Sequence, residues 1–227
     1  MIALKEWAIV CKALEEGKQI LLLRKGGIME FRKGFEVKHN EFLLYPTYEH
    51  QSRESVKDEY KIELEKLLCD EENDQKKSSK NAHNINRNII NLFAKVSDVI
   101  EISDKSILAK LQNYHIWNDE YVTSRMNYNP SKPLYVLLLR VYKIKEPLVI
   151  DIKNEWSGCK SWLNIEIDKK WENFDFKNYS WIHMMNKDKI RDDDIESTNK
   201  KALIYPVLNE DRFNEINNDI KEAIFVG

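Results

Sequence analysis

The chain has 227 residues, 36 basic against 38 acidic for a net charge of −2, 42% hydrophobic and 33% charged residues, and six Trp. This is enough apolar surface to offset chain entropy, which excludes a disordered, collagen-like or low-complexity class. The longest apolar run, Leu134 to Val141, is interrupted by Arg140 and falls short of the roughly 20 residues of a membrane helix, and no signal-peptide core precedes Lys5 and Glu6. Three Cys (Cys11, Cys69 and Cys159), far apart and without CxxC spacing, argue against a disulfide framework or a Cys-rich zinc site, so a reducing cytoplasm is expected.

Leu4, Trp7, Ala8, Cys11 and Leu14 recur at spacings of three and four, predicting a first helix over about residues 3–16 that Gly17 ends. Gln19 to Arg24 reads as a buried strand, with a hairpin at Gly26-Gly27. Ile28–Phe31 and Glu41–Tyr45 read as further strands, the second ended by Pro46. Val56, Tyr60, Leu64, Leu67 and Leu68 share one face of a second helix.

Residues 70–84 lack apolar periodicity and are expected to form an exposed loop within one domain. Ile85, Ile89, Ile90 and Phe93 have helical spacing, and Val99–Ile102 reads as a strand. Ser103 or Asp104 then caps a helix, and a polar helix is expected over Asn118–Met126. Leu134–Tyr142 is the strongest strand, with Leu148–Ile152 and Ser161–Ile167 as neighbours and a terminal helix through Phe213, Ile216, Ile220 and Ile224. Irregular alternation predicts one α+β domain over 1–227, with a mixed or antiparallel sheet flanked by helices.

The densest polar constellation is Arg24-Lys25-Gly26-Gly27, Glu30, His39 and Tyr45-Pro-Thr-Tyr-Glu-His-Gln51. A basic pair followed by two glycines either lets backbone N–H groups and cations cradle a phosphate or forms a hairpin with solvated cations. His39, Glu49 and His50 are candidates for proton transfer or metal ligation, with Thr47 capping and Glu49 favouring a helix dipole as the alternative. His115 beside Trp117 reads as a partly buried histidine, and Lys160 as either a phosphate contact or a surface lysine. Cys159 has only Lys160 nearby to activate it as a nucleophile. Asp151-Ile-Lys153 and Glu166-Ile-Asp168-Lys169-Lys170 loosely offer nuclease-like Asp/Glu-x-Lys triplets, with ordinary exposed strand faces as the alternative.

No GxxxxGK[ST], GxGxxG or HExxH fingerprint is present, so no cofactor or metal is assigned. Two basic-aromatic sets suit nucleic acid: Arg24, Lys25, Arg32, Lys33 and Lys38 with Phe31, Phe35, Tyr45 and Tyr48, and Arg125, Lys132, Arg140 and Lys143 with Tyr128, Tyr135 and Tyr142.

The blocks Ala3-Leu-Lys-Glu-Trp-Ala8, Ile20 to Ile28, Phe42 to Gln51, His115-Ile-Trp117, Lys132 to Tyr142 and Gly158-Cys-Lys-Ser-Trp162 resemble domain-of-unknown-function family 1802, over about residues 2–165. The remainder, 166–227, reads as a C-terminal extension. Some relatives are joined to Mrr-type restriction endonuclease domains, so the resemblance implies a role near DNA restriction or defence. It also favours one shared pocket built from Arg24, Lys25, His39, Glu49 and His50.

The leading expectation is a nucleic-acid or nucleotide-phosphate recognition module. Arg24 and Lys25 would contact phosphate, Gly26 and Gly27 would allow close backbone approach, and Tyr45 or Tyr48 would stack on a base. The partners expected are DNA or RNA and a restriction endonuclease component. The alternatives are a metal-dependent phosphodiesterase using His39, Glu49 and His50, and a protein-interaction component without catalysis.

Overall fold

A computed structural model describes residues 1–25, 39–79, 87–158, 160–166 and 204–225, with side chains of 74–79 left aside. In chain order the elements are β1 (Ile2–Trp7), α1 (Ala8–Glu15), β2 (Leu21–Arg24), β3 (Glu41–Thr47), α2 (Asp58–Ser79), β4 (Arg87–Ile102), α3 (Lys105–Lys110), α4 (Asp119–Asn127), β5 (Leu134–Asp151), β6 (Trp162–Asn164), β7 (Ile204–Pro206) and α5 (Glu210–Phe225).

The sheet runs β2-β5-β4-β3-β1-β6, with β7 also on β5. β1 and β3 are parallel and the remaining pairs antiparallel, so the α+β expectation resolves to a mixed sheet. The long β4–β5 ladder slips register between Ile90 and Leu92 and between Val96 and Asp98. Such irregularities increase the local bend, and β5 accordingly serves β2 along Tyr135–Leu138 and β7 along Tyr142–Ile144.

One sheet face, with Leu4, Phe42, Leu44, Leu92 and Val136, packs against residues of the helices such as Ile9, Leu14, Leu64, Leu108, Val122 and Phe213. The other face gathers Ala3, Leu43, Tyr45, Phe93, Tyr142, Ile144 and Trp156 into a second core. β5 is buried on both faces, which explains its continuous apolar run.

Five expectations change, four of them in the assignment of elements. Residues 3–7 form a strand: all of Ala3–Glu6 is buried, and Leu4, Trp7 and Ala8 share a helical spacing by coincidence. The segment 70–79 continues α2, because its Asp, Glu, Gln and Lys residues carry enough helix propensity to extend a helix without an apolar stripe; residues 80–84 lie outside the described set. The region 87–93 belongs to β4, where Asn88 and Ile90 point inward and Ile89 outward, a period of two. Leu148–Asp151 continues β5 rather than forming a new strand.

Pro46 does not end β3. The β4 ladder stops at Leu44, so the missing N–H of Pro46 interrupts no pairing on that side. Gly17 does end α1, in a left-handed conformation (φ 67°). Asp104 and Asn118 cap α3 and α4 through side-chain oxygens, both as expected. The predicted strand at Ile28–Phe31 lies outside the described residues.

Candidate functional site

The parallel pair places the C-terminal ends of β1 and β3 side by side, and both chains turn away there. β1 passes directly into α1, while β3 enters the turn at Tyr48–Gln51. His50 takes a positive φ of 60° in that turn, and Gln51 Oε1 accepts the Ile9 N–H at 3.1 Å, tying the turn to the start of α1. Between the two strand ends opens a cavity of about 450 Å³, within the size range of small-ligand sites.

Aromatic rings form one wall. Trp117 stacks on Tyr121 with centroids 4.2 Å apart and an interplanar angle of 24°. Trp7 meets Trp117 edge-on at 5.0 Å, and the Arg125 guanidinium lies 5.9 Å from the Tyr121 ring centroid. This wall is held from behind. Asn118 accepts the Tyr121 N–H at 2.9 Å and donates to the Glu54 carbonyl at 2.6 Å, while Trp117 bridges to Val56. Burial raises the pKa of the Tyr121 phenol, which therefore stays neutral.

Charged groups form much of the remaining lining: Lys5, Arg24, Arg125 and Lys160 against Glu6 and Glu49, together with His50. Arg24 Nη1 lies 3.0 Å from Glu6 Oε2, and Glu6 Oε1 accepts the Trp7 N–H at 2.9 Å. Lys5 Nζ donates to Glu49 Oε2 at 2.9 Å, to the Trp156 carbonyl at 2.8 Å and to the Gly158 carbonyl at 3.0 Å. Lys160 Nζ donates to the Glu155 carbonyl at 2.7 Å.

The five-residue pocket expected from sequence is corrected in membership. Arg24, Glu49 and His50 line the cavity; Lys25 and His39 do not. Lys25 is 3% exposed and donates to the Met126 carbonyl, and burial together with the Arg125 charge lowers its pKa. His39 packs edge-on against Trp162 at 5.3 Å. Gly26, Gly27, Glu30, Arg32, Lys33, Lys38, Cys159 and Asp168 lie outside the described residues.

Tyr45 is buried and edge-on to Trp156 at 6.0 Å, so packing rather than an open face occupies its ring. Burial also raises its phenol pKa. Together with Tyr48 it lines a smaller cavity of about 190 Å³ next to the first. Arg140 lies elsewhere, reaching Glu210 Oε2 at 3.2 Å and the Phe213 ring centroid at 4.7 Å. His115 is buried beside a separate cavity between α3 and α4, and burial, aided by the Lys57 charge, pulls its pKa down to about 4. Among the described residues no group of three or more His, Cys, Asp or Glu is placed to hold a metal ion.

Sequence reasoning missed Lys5, Glu6, Trp7 and Tyr121 as site residues. A signal existed in Ala3-Leu-Lys-Glu-Trp-Ala8, where two charges interrupt an apolar block. A strand buried on both faces that carries a Lys and a Glu must pair them, and paired buried charges cluster at sites.

The chain belongs to the DUF1802 family, described as a domain of unknown function, which matches residues 3–175. No curated protein matches it. Among solved structures, a serine-to-alanine mutant of ZmASCH from Zymomonas mobilis is 12% identical, with 66% of this chain and 72% of that chain covered and a TM-score of 0.35. A likeness of that degree transfers no function. No helix among the described residues is long and apolar enough to cross a membrane.

Proposed function

We propose that this chain is a nucleic-acid or nucleotide-phosphate recognition module, a single functional unit acting beside restriction or defence machinery in the cytoplasm. The observation that carries the reading is the convergence of four cations and an aromatic wall on one cavity of about 450 Å³. Base faces stack on aromatic rings regardless of sequence, and cations neutralise the backbone. In this reading a base lies along Tyr121 and Trp7, while Arg24, Arg125 and Lys160 face the phosphates. Arg24 is the member of the expected phosphate pair that keeps its role. In this reading Tyr48, which lines the adjoining cavity, stacks on a neighbouring base.

The test is fluorescence anisotropy with labelled mixed-sequence 12-nucleotide single strands and duplexes of DNA and RNA, at two salt concentrations, with and without magnesium. Binding that weakens with salt and needs no metal supports the module. Magnesium-dependent cleavage would replace it with a phosphodiesterase using Glu49 and His50. Absence of both binding and cleavage overturns it and leaves a protein-interaction role.

A further inference from the structure

The Lys5–Glu49 pair stands between two cavities. Lys5, Thr47 and Glu49 line both the 450 Å³ cavity with the aromatic wall and the 190 Å³ cavity that holds Tyr48 and Trp156. The two partners are unequal. The Lys5 side chain is 7% exposed and the Glu49 side chain 42%. Lys5 is also fixed from behind by the Trp156 and Gly158 carbonyls, whereas Glu49 sits on the turn after β3, where its N–H donates to Thr47 Oγ1 at 3.3 Å. If Glu49 swings outward, Lys5 keeps two of its three hydrogen bonds and presents its charge to both cavities at once.

We infer that Glu49 occupies the place of a ligand phosphate on Lys5, and that a single strand binds across both cavities, with the phosphate between two successive nucleotides displacing the Glu49 carboxylate. This rests on the recognition reading above and extends it in two ways: the ligand spans at least two nucleotides, and the protein carries its own competing anion. Exchange of one anion for another at a fixed ammonium needs no deprotonation and leaves the buried charge compensated throughout. It also means that the net charge the strand meets at this position is zero, so the cation released from the displaced phosphate is offset by the charge of the freed Glu49 carboxylate.

The test uses the same labelled 12-nucleotide single strands and the full-length chain, comparing wild type with Glu49→Gln over a range of salt. Removing the competing charge should tighten binding roughly fivefold, the worth of a half-exposed ion pair. It should also steepen the dependence of log affinity on log salt by about 0.7, since the unopposed Lys5 charge now releases one more condensed cation from the strand. In a Lys5→Met background, checked for folding by circular dichroism, the Glu49→Gln gain should vanish. A wild type that binds while Glu49→Gln binds equally or more weakly overturns the displacement and leaves the recognition reading standing. A wild type that binds no strand overturns both.

Discussion

The second basic-aromatic set of the sequence is divided by the fold: Arg125 and Tyr128 join Arg24 of the first set at one cavity, whereas Arg140 ends elsewhere. Around Arg140 the guanidinium is sandwiched toward Phe213, bonded to Glu210 and to the Asn209 carbonyl, and the adjoining space is only about 10 Å³. Around Arg24 and Arg125 the same ingredients open into a cavity of about 450 Å³. What separates them is a cover: α5 docks over Arg140 and fills its surroundings, whereas β1 and β3 simply end beside Arg24. Composition identifies groups able to bind an anion or a ring, and topology decides whether the protein itself is the ligand.

The comparison breaks most decisively at Arg140. Arg140→Ala removes a cation from a largely buried setting and should cost about 3 kcal/mol in urea denaturation while leaving strand binding unchanged. A binding defect there would mean that both groups serve the ligand.

Acid sharpens the contrast next. His115 stays neutral in the folded protein down to about pH 4, while in the unfolded chain it takes up a proton below about 6.5. The unfolded state thus binds the extra proton, so this contribution is intact above pH 6.5 and is lost as pH falls toward 4. Between pH 7 and pH 4.5 wild type should lose about 2.5 kcal/mol more than His115→Leu, measured by urea unfolding at both values. Because His115-Ile-Trp117 carries the aromatic wall, the pocket end should loosen first, seen as an earlier change in Trp fluorescence.

Two smaller effects fall on the wall itself. Tyr121→Ala should weaken strand binding by about 2 kcal/mol, near thirtyfold, with the salt slope unchanged because no cation is lost. Asn118→Ala removes the α4 cap that positions Tyr121 and should cost about 1 kcal/mol of stability, read from the denaturation midpoint.

Much of the architecture was legible where burial follows one period. β5 announces itself through Leu134–Tyr142, the caps Asp104 and Asn118 through residue type, and α5 through Phe213, Ile216, Ile220 and Ile224. β1 was unreadable for the reason that makes it functional. Lys5 and Glu6 are buried by ion pairs with Glu49 and Arg24, residues distant in sequence, and no local pattern marks a charge as buried. The site was half legible for the same reason. Arg24, Glu49, His50 and Lys160 stood in conspicuous polar blocks, whereas Lys25 turns to the Met126 carbonyl of α4, a partner about a hundred residues away that no local pattern announces.

The position of β1 also fixes when the site can exist. One neighbour of β1 is β3, but the other is β6, and Ile165 N–H donates to the Met1 carbonyl at 2.7 Å across nearly the whole described N-terminal region. The carbonyls of Trp156 and Gly158 that clamp Lys5 arrive equally late. During synthesis one edge of the first strand must therefore stay unpaired until residues beyond Ile165 have left the ribosome. Pairings so far apart in the chain are slow to close. The binding cavity is thus completed late, and a nascent chain interrupted before Trp156 has made every residue of the aromatic wall without the carbonyls that hold the lysine beside it.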